Sequence, residues 1–326
     1  MKIKIYSNEY YLPEKKLTDE DLLIDNPDWD MLKIIEKTGI SLRSIASSNQ
    51  TAVDLAFEAG TKLLKDISFK EEIDLIILVT QSPDYILPTS ACILQDKLGL
   101  SKKCMAFDIN LGCSGFVYAM SVAGSLIDSG VAKKGLILCS ETYSKYIHKN
   151  DRTCRPLFSD GASATLLVSS DSNHVGPFVF GTDGSGHEKL IVRAGGSREP
   201  IDNVNSLNPL LEMQGSEIFL FTLNFVPKCI NSLLIKSDLI IEDIDLFVFH
   251  QASKLVLENL IRSMSLNKNK VFINLTDVGN TVSASIPIAL KDAETQGRLK
   301  NGDKVMLIGF GVGLSWGATL ITWVKT

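Results

Sequence analysis

The stretch FDINLGCSGF, Phe107 to Phe116, sets a single thiol, Cys113, between an apolar run and a glycine–serine–glycine cluster. The pattern that follows, SGFVYAMSVAGSLIDSG (Ser114–Gly130), reads as a helix, so Cys113 falls at a helix start. Free N–H groups and partial positive charge at such an end favour thiolate, the nucleophilic form of cysteine. Gly112 and Gly115 on either side allow a tight turn and close approach of a ligand. The competing reading is a small buried hydrophobe, which suits Cys139 in LILCSE.

Three further segments carry polar groups suited to the same site. His250 ends the apolar strand LFVFH, and strand ends are where α/β active sites collect. Of the four histidines it alone stands there, although taken by itself it reads equally as a hydrogen-bonded core histidine. Asn280 lies in VGNTVSAS, either as a left-handed turn or N-cap residue or as an amide donor aimed into a pocket. The glycine-rich GFGVGLSWG (Gly309–Gly317) is followed by a strand pattern, so it is no dinucleotide fingerprint. It is a hairpin whose free N–H groups suit a developing oxyanion.

These residues need a scaffold that brings distant segments together. Short apolar runs, Ile73–Thr80, Gly135–Ser140, Ala164–Ser169, Ile244–His250, Val305–Phe310 and Ala318–Val324, predict buried strands. Helical patterns over Thr51–Asp66, Ser114–Gly130, Leu255–Met264 and Ser283–Gly297 alternate with them, which argues for α/β layers. EIDLIILVTQ (Glu72–Gln81) also matches DIDLFVFHQA (Asp243–Ala252) in character. Each is followed by a second apolar stretch, a glycine-containing turn, a helix and a strand. Aligning Ser129–Gly130 with Gln296–Gly297 sets Cys113 opposite Asn280. Two pseudo-repeats are therefore expected, residues 1–172 carrying the cysteine and 173–326 carrying the histidine and asparagine, with equivalent loops converging on one site.

Bulk properties narrow the class. The chain has 326 residues, 45% hydrophobic and 22% charged, with a net charge of -5, so no global basic field points to nucleic acid. MKIKIYSNEYYLP has no apolar signal core, and no apolar run is expected to reach the ~18 residues that cross a bilayer. The six cysteines form no CxxC pair, which disfavours structural zinc or a disulfide framework and suggests a cytoplasmic setting.

In order, GCSG, HQAS, VGNTVSAS and GFGVGLSWG resemble the β-ketoacyl-[acyl-carrier-protein] synthase III family of the thiolase superfamily. LFSDGASATLLV, TDGSG and KTGISLRSIA extend the resemblance from about Lys37 to the C-terminus. It implies a thiolase-like five-layered αβαβα fold and a homodimer. It also implies an acyltransferase that moves an acyl group from acyl-CoA to a cysteine and condenses it with malonyl-acyl carrier protein, releasing CO2. No cofactor or metal is implied, since acyl-CoA is a substrate. By the resemblance, Cys113 is the nucleophile, His250 and Asn280 assist decarboxylation, and the N–H groups of Cys113 and Val312 form the oxyanion hole. Leu87 matches an aromatic position that reaches into the neighbouring subunit's acyl pocket; here it is aliphatic.

Substrate-binding positions also depart from the family. Trp29 lies farther upstream than the family's adenine-stacking Trp, Lys37 replaces an Arg, and Ser253 and Ser216 stand where Asn is usual. Gly215 and Gly311 are expected among the substrate-binding residues with Leu87, Ser216 and Ser253, and Arg152 and Arg155 are expected either to meet the coenzyme phosphates or to sit in a solvated loop. Lys254, Arg262, Lys268 and Lys270 form a basic cluster suited to an acidic carrier protein. A non-condensing acyltransferase passing the acyl group to oxygen or nitrogen is the alternative on the same fold. No nucleic-acid or membrane partner is expected.

Overall fold

The computed structural model describes residues 1–201 and 209–325. The strand Leu75–Val79 is buried at every residue, as its uninterrupted apolar run requires. Leu75, Ile77 and Val79 face a core shared with Phe116 and Met120, and with Leu246 and Val248 from the second half. Ile76 and Leu78 face the opposite way, onto Val53, Ala56 and Leu63 of the helix Ala52–Leu64. Leu246–Phe249 divides likewise, with Phe247 and Phe249 packed against Ile230, Leu233 and Leu257. This period-2 alternation between two apolar surroundings is what places a sheet between helical layers.

The first sheet has the order Ile3–Tyr11, Gly161–Ser169, Lys134–Glu141, Leu75–Val79, Met105–Ile109, and its last three strands are parallel. The second has the order Leu246–Phe249, Lys304–Gly311, Ser315–Thr322, Val175–Thr182, with its first pair parallel. Helices Gly115–Asp128 and Ser285–Thr295 lie between the sheets and contribute Phe116, Met120, Ile286 and Leu290 to the shared core. Ala52–Leu64 and Ser90–Lys97 cover the outer face of the first sheet; Gly215–Ser237 and Lys254–Ser263 cover that of the second. The result is five layers, αβαβα.

One expectation about length does not hold. Gly215–Ser237 is a 23-residue apolar helix, long enough to cross a bilayer. Its Val226, Ile230 and Leu233 instead pack on the second sheet.

Candidate active site

Cys113 stands in the turn between the strand Met105–Ile109 and the helix Gly115–Asp128 and is 5% exposed. Its flanking glycines answer a demand for space rather than for a special turn, since neither has a positive φ. A Cβ on Gly115 would overlap Val79, and one on Gly112 would stand 2.5 Å from Gln81 Oε1 and 2.8 Å from Val312 Cγ1. Across the site, a Cβ on Gly311 would come within 3.0 Å of Cys113 Sγ.

The sulfur does not rest as the low-pKa thiolate its place in the chain suggests. Burial pushes the Cys113 thiol up to about 12, and the nearby Glu141 carboxyl adds to the rise. The main-chain N–H groups of Cys113 and Val312 reach the sulfur and act in the opposite sense. Two N–H groups from opposite halves thus converge beside the sulfur, an arrangement suited to an oxyanion on the oxygen of a carbonyl that the sulfur attacks.

His250 follows directly on Leu246–Phe249 and is buried. Burial holds its pKa down to about 3, so the ring is neutral at working pH. Its Nδ1 is 2.7 Å from Ser285 Oγ, and Ser285 Oγ is 2.9 Å from the Val282 carbonyl. The hydroxyl proton therefore sets the tautomer. Donated to Nδ1, it leaves the ring hydrogen on Nε2; donated to Val282, it leaves Nε2 bare.

Asn280 is not itself left-handed: that role falls to Gly279, at φ 74, and Val282, at φ 53. The Val282 N–H donates to Asn280 Oδ1 at 3.0 Å, and Asn280 Nδ2 donates to the Ala252 carbonyl at 3.3 Å. One amide hydrogen of Nδ2 remains for a ligand. A β-branched residue at positive φ is a strained position, and here the strain sits where the Asn280 amide is aimed.

Cys113, His250 and Asn280 line one cavity of about 590 Å³. Its other end is walled by Lys33, Lys37 and Arg152, all exposed, so it runs from a cationic mouth to a buried sulfur. Thr38, Ile218, Phe219, Thr222 and Val256 form apolar and hydroxyl-bearing walls between them. A long flexible thioester arm with phosphates at its far end suits that gradient. Of the residues expected to bind substrate, Arg152, Gly215, Ser253 and Gly311 line the cavity.

Others do not. Arg155 turns away, pairing with Asp25 and donating to the Lys149 carbonyl at 2.6 Å. Ser216 and Trp29 lie outside the lining, and Leu87 is 79% exposed on the outer surface. Lys254 and Arg262 are exposed on the helix that Ser253 caps through Val256 N–H at 3.3 Å.

Sequence reasoning missed three features. Lys33 joins Lys37 one turn apart on the helix Met31–Thr38, a spacing readable in principle. Glu141 is fully buried and accepts from Gln81 N–H at 3.1 Å and from Ser82 and Ser283 Oγ at 2.9 Å each. Burial outweighs these donors and lifts its pKa to about 8. Tyr143 is buried beside Cys113, and its hydroxyl donates to Gln81 Oε1 at 2.7 Å.

Comparison with known proteins places this geometry. Family models described as 3-oxoacyl-[acyl-carrier-protein] synthase III and its C-terminal part match residues 107–184 and 234–323. A β-ketoacyl-[acyl-carrier-protein] synthase III of Caldanaerobacter subterraneus is 38% identical over 323 residues, 97% of this chain and 96% of the relative. This chain belongs to the β-ketoacyl-[acyl-carrier-protein] synthase III family. The homologue from Clostridium novyi is 39% identical over 98% of this chain and 99% of its own. A crystal structure of a 3-oxoacyl-(acyl-carrier-protein) synthase III superposes with a TM-score of 0.95 at 42% identity, covering 99% of this chain and 100% of the other. The thiolase-like fold of the family is therefore the fold of this chain.

Proposed function

We propose that the protein is a decarboxylating condensing enzyme of fatty acid or related acyl-chain synthesis. It loads an acyl group from acyl-CoA and extends it with malonyl-acyl carrier protein. The observation that carries this reading is the convergence of Cys113, His250 and Asn280, delivered by both halves of the chain, on one cavity with a cationic mouth.

In the first half-reaction Cys113 Sγ attacks the acyl-CoA carbonyl. The thiol proton passes through His250 Nε2 to the departing coenzyme A sulfur. The N–H groups of Cys113 and Val312 hold the tetrahedral oxyanion. In the second, the malonyl thioester loses CO2 and the electron pair moves onto its thioester oxygen. Asn280 Nδ2–H and the Nε2–H form of His250 hold that enolate. Its carbon attacks the acyl-Cys113 carbonyl, the C–S bond breaks, and the thiolate takes a proton from solvent, leaving a 3-oxoacyl thioester. No resident cofactor enters this sequence, and it operates in a cytoplasmic setting.

The same reading includes a homodimer, built through the apolar loop that exposes Tyr85, Ile86 and Leu87 at 60%, 88% and 79%. Such a contiguous exposed apolar patch suits a second copy of the chain. It also includes the pseudo-repeat boundary near residues 172 and 173, and a basic docking face at Lys254 and Arg262.

The test is incubation with acetyl-CoA followed by malonyl-acyl carrier protein, reading the intact mass of the protein and released CO2. The expected result is one acyl mass on Cys113 and CO2 in step with 3-oxoacyl product. Acyl mass without CO2, with transfer to an amine or alcohol, would establish the non-condensing acyltransferase instead.

A further inference from the structure

The two N–H groups beside the Cys113 sulfur belong to different halves of the chain, that of Cys113 to the first and that of Val312 to the second. Their separation is therefore set by contacts between the halves. Gly309 lets the second half approach: a Cβ there would stand 2.7 Å from both the Cys113 carbonyl oxygen and Ser114 Cα. Two buried serines then join the loops. Ser114 Oγ and Ser315 Oγ are 2.8 Å apart, and Ser315 Oγ donates to the Val312 carbonyl at 2.8 Å. Each hydroxyl has one hydrogen, so with that of Ser315 given to Val312, the bridging hydrogen comes from Ser114. The chain of donors thus runs from the residue after the nucleophile to the residue that carries the second N–H. Gly311 is paired with Ser315 in the strand ladder, so Val312 is held on both sides.

Ser114 forgoes a local role to make this bridge. It stands at the N-cap of the helix Gly115–Asp128, where a serine oxygen ordinarily accepts from a first-turn N–H. Its side chain makes no such bond, and its hydroxyl is turned to the other half instead. Ser114 and Ser315 are 1% and 3% exposed, and neither lines the cavity. Neither touches a substrate there, so any effect on the reaction passes through the main chain. We propose that Ser114 and Ser315 are positioning residues whose hydroxyl bridge fixes the Val312 N–H against the Cys113 N–H at the attacked carbonyl oxygen. This inference rests on Cys113 carrying the acyl group.

The experiment measures two rates on the intact protein: acyl mass gain from acetyl-CoA and alkylation of Cys113 by iodoacetamide. Acylation builds an oxyanion on the attacked carbonyl; alkylation displaces iodide at a saturated carbon and builds none. Their ratio cancels any change in the thiolate fraction. The unaltered protein is compared with Ser114→Ala, Ser315→Ala and the double variant, all checked by thermal melting. Ser315→Ala should lower the acylation-to-alkylation ratio by about tenfold and Ser114→Ala by about threefold, part of the hundredfold or more that a deleted donor costs. The KM for acetyl-CoA should stay within about twofold, because the loss falls on the transition state. The double variant should match Ser315→Ala alone, since the two hydroxyls act as one unit. An unchanged ratio in a folded Ser315→Ala protein would overturn the proposal; if that variant does not fold, an unchanged ratio in Ser114→Ala would do so. Losses that multiply in the double variant, or a raised KM with unchanged kcat, would overturn it too. If acetyl-CoA does not label the unaltered protein, the assignment of Cys113 falls, and this inference with it; labelling with an unchanged ratio in the variants removes the serine bridge alone.

Discussion

In the first half of the chain the strand Met105–Ile109 pairs along its whole length with Leu75–Val79, and four residues later the turn delivers Cys113. In the second half the equivalent apolar stretch makes only an isolated bridge, Phe247 to Val271. The chain then passes through the short helix Leu275–Val278 and the 3-10 turn Val282–Ala284 before the helix Ser285–Thr295 begins. The same unit has been bent to two purposes. One loop sets an atom against main-chain N–H groups, with support from a full strand behind it. The other gives up strand pairing for a strained turn that aims a side-chain amide. Strain at one such residue costs about 1–3 kcal/mol, and the buried surroundings of Val282 offset it.

The sharpest way to break this comparison is to remove each loop's functional atom. Cys113→Ala should lose acyl labelling altogether, since among the described residues no other thiol lines the cavity. Asn280→Ala should still take up the acyl mass while CO2 release and condensation fall by about a hundredfold to a thousandfold. If Asn280→Ala instead abolished labelling and left decarboxylation of malonyl thioester intact, the division of roles between the loops would be reversed.

A smaller effect tests whether the second loop also sets the state of His250. Ser285 opens the helix after the turn and is the partner of Nδ1 at 2.7 Å. Ser285→Ala leaves a buried ring nitrogen without that partner, which costs about 1–3 kcal/mol. Melting should shift down accordingly, and condensation should fall by about tenfold, as a loss of about 1.4 kcal/mol in transition-state stabilisation gives. Ser285→Thr, which retains the hydroxyl, should recover most of the condensation rate. Equal loss in both variants would make Ser285 a packing residue only.

Much of this was legible in the chain because it depends on local signals. Cys113, His250 and Asn280 each sit at a strand end or a glycine-bearing turn, and their order along two similar half-chains announces that they meet. The strand and helix ranges agree to within a few residues because Leu75–Val79 and Leu246–Phe249 are buried on both faces. What was not legible depends on what packs against what. Glu141 ends a strand as any solvated carboxylate does, and its burial exists only because Ser82 and Ser283 arrive from distant segments. The resting pKa of Cys113 follows from the same enclosure, which outweighs the helix start read from sequence. Gly215–Ser237 went unread because Pro227 interrupts its pattern in the middle.

Glu141 joins the two halves beneath the sulfur, so neutralising it sharpens the electrostatic side of the comparison. Its negative form raises the Cys113 pKa; removing that charge must lower it. Glu141→Gln keeps the shape and should move the pH profile of Cys113 alkylation by iodoacetamide toward lower pH. The effect should be largest above about pH 8, where the carboxyl of the unaltered protein is ionised. A profile displaced toward higher pH would mean that the carboxylate supports the thiolate, contrary to the sign argued here.

The smallest expected effect concerns the outer end of the second half. The helix Lys254–Ser263 starts one residue beyond Ser253, which lines the cavity, and carries Lys254 and Arg262 exposed. If an acidic carrier protein lands there, replacing both with Glu should raise the KM for malonyl-acyl carrier protein several-fold, because charge at a rim governs encounter more than chemistry. The acylation rate with acetyl-CoA is read in parallel, since it requires no carrier. Raising salt should shrink the difference between the two proteins, as screening over about 10 Å at 0.1 M ionic strength removes the advantage of the native charges. An unchanged carrier KM at low salt would move the landing site to the other cations at the mouth, Lys33, Lys37 and Arg152, which the first half supplies.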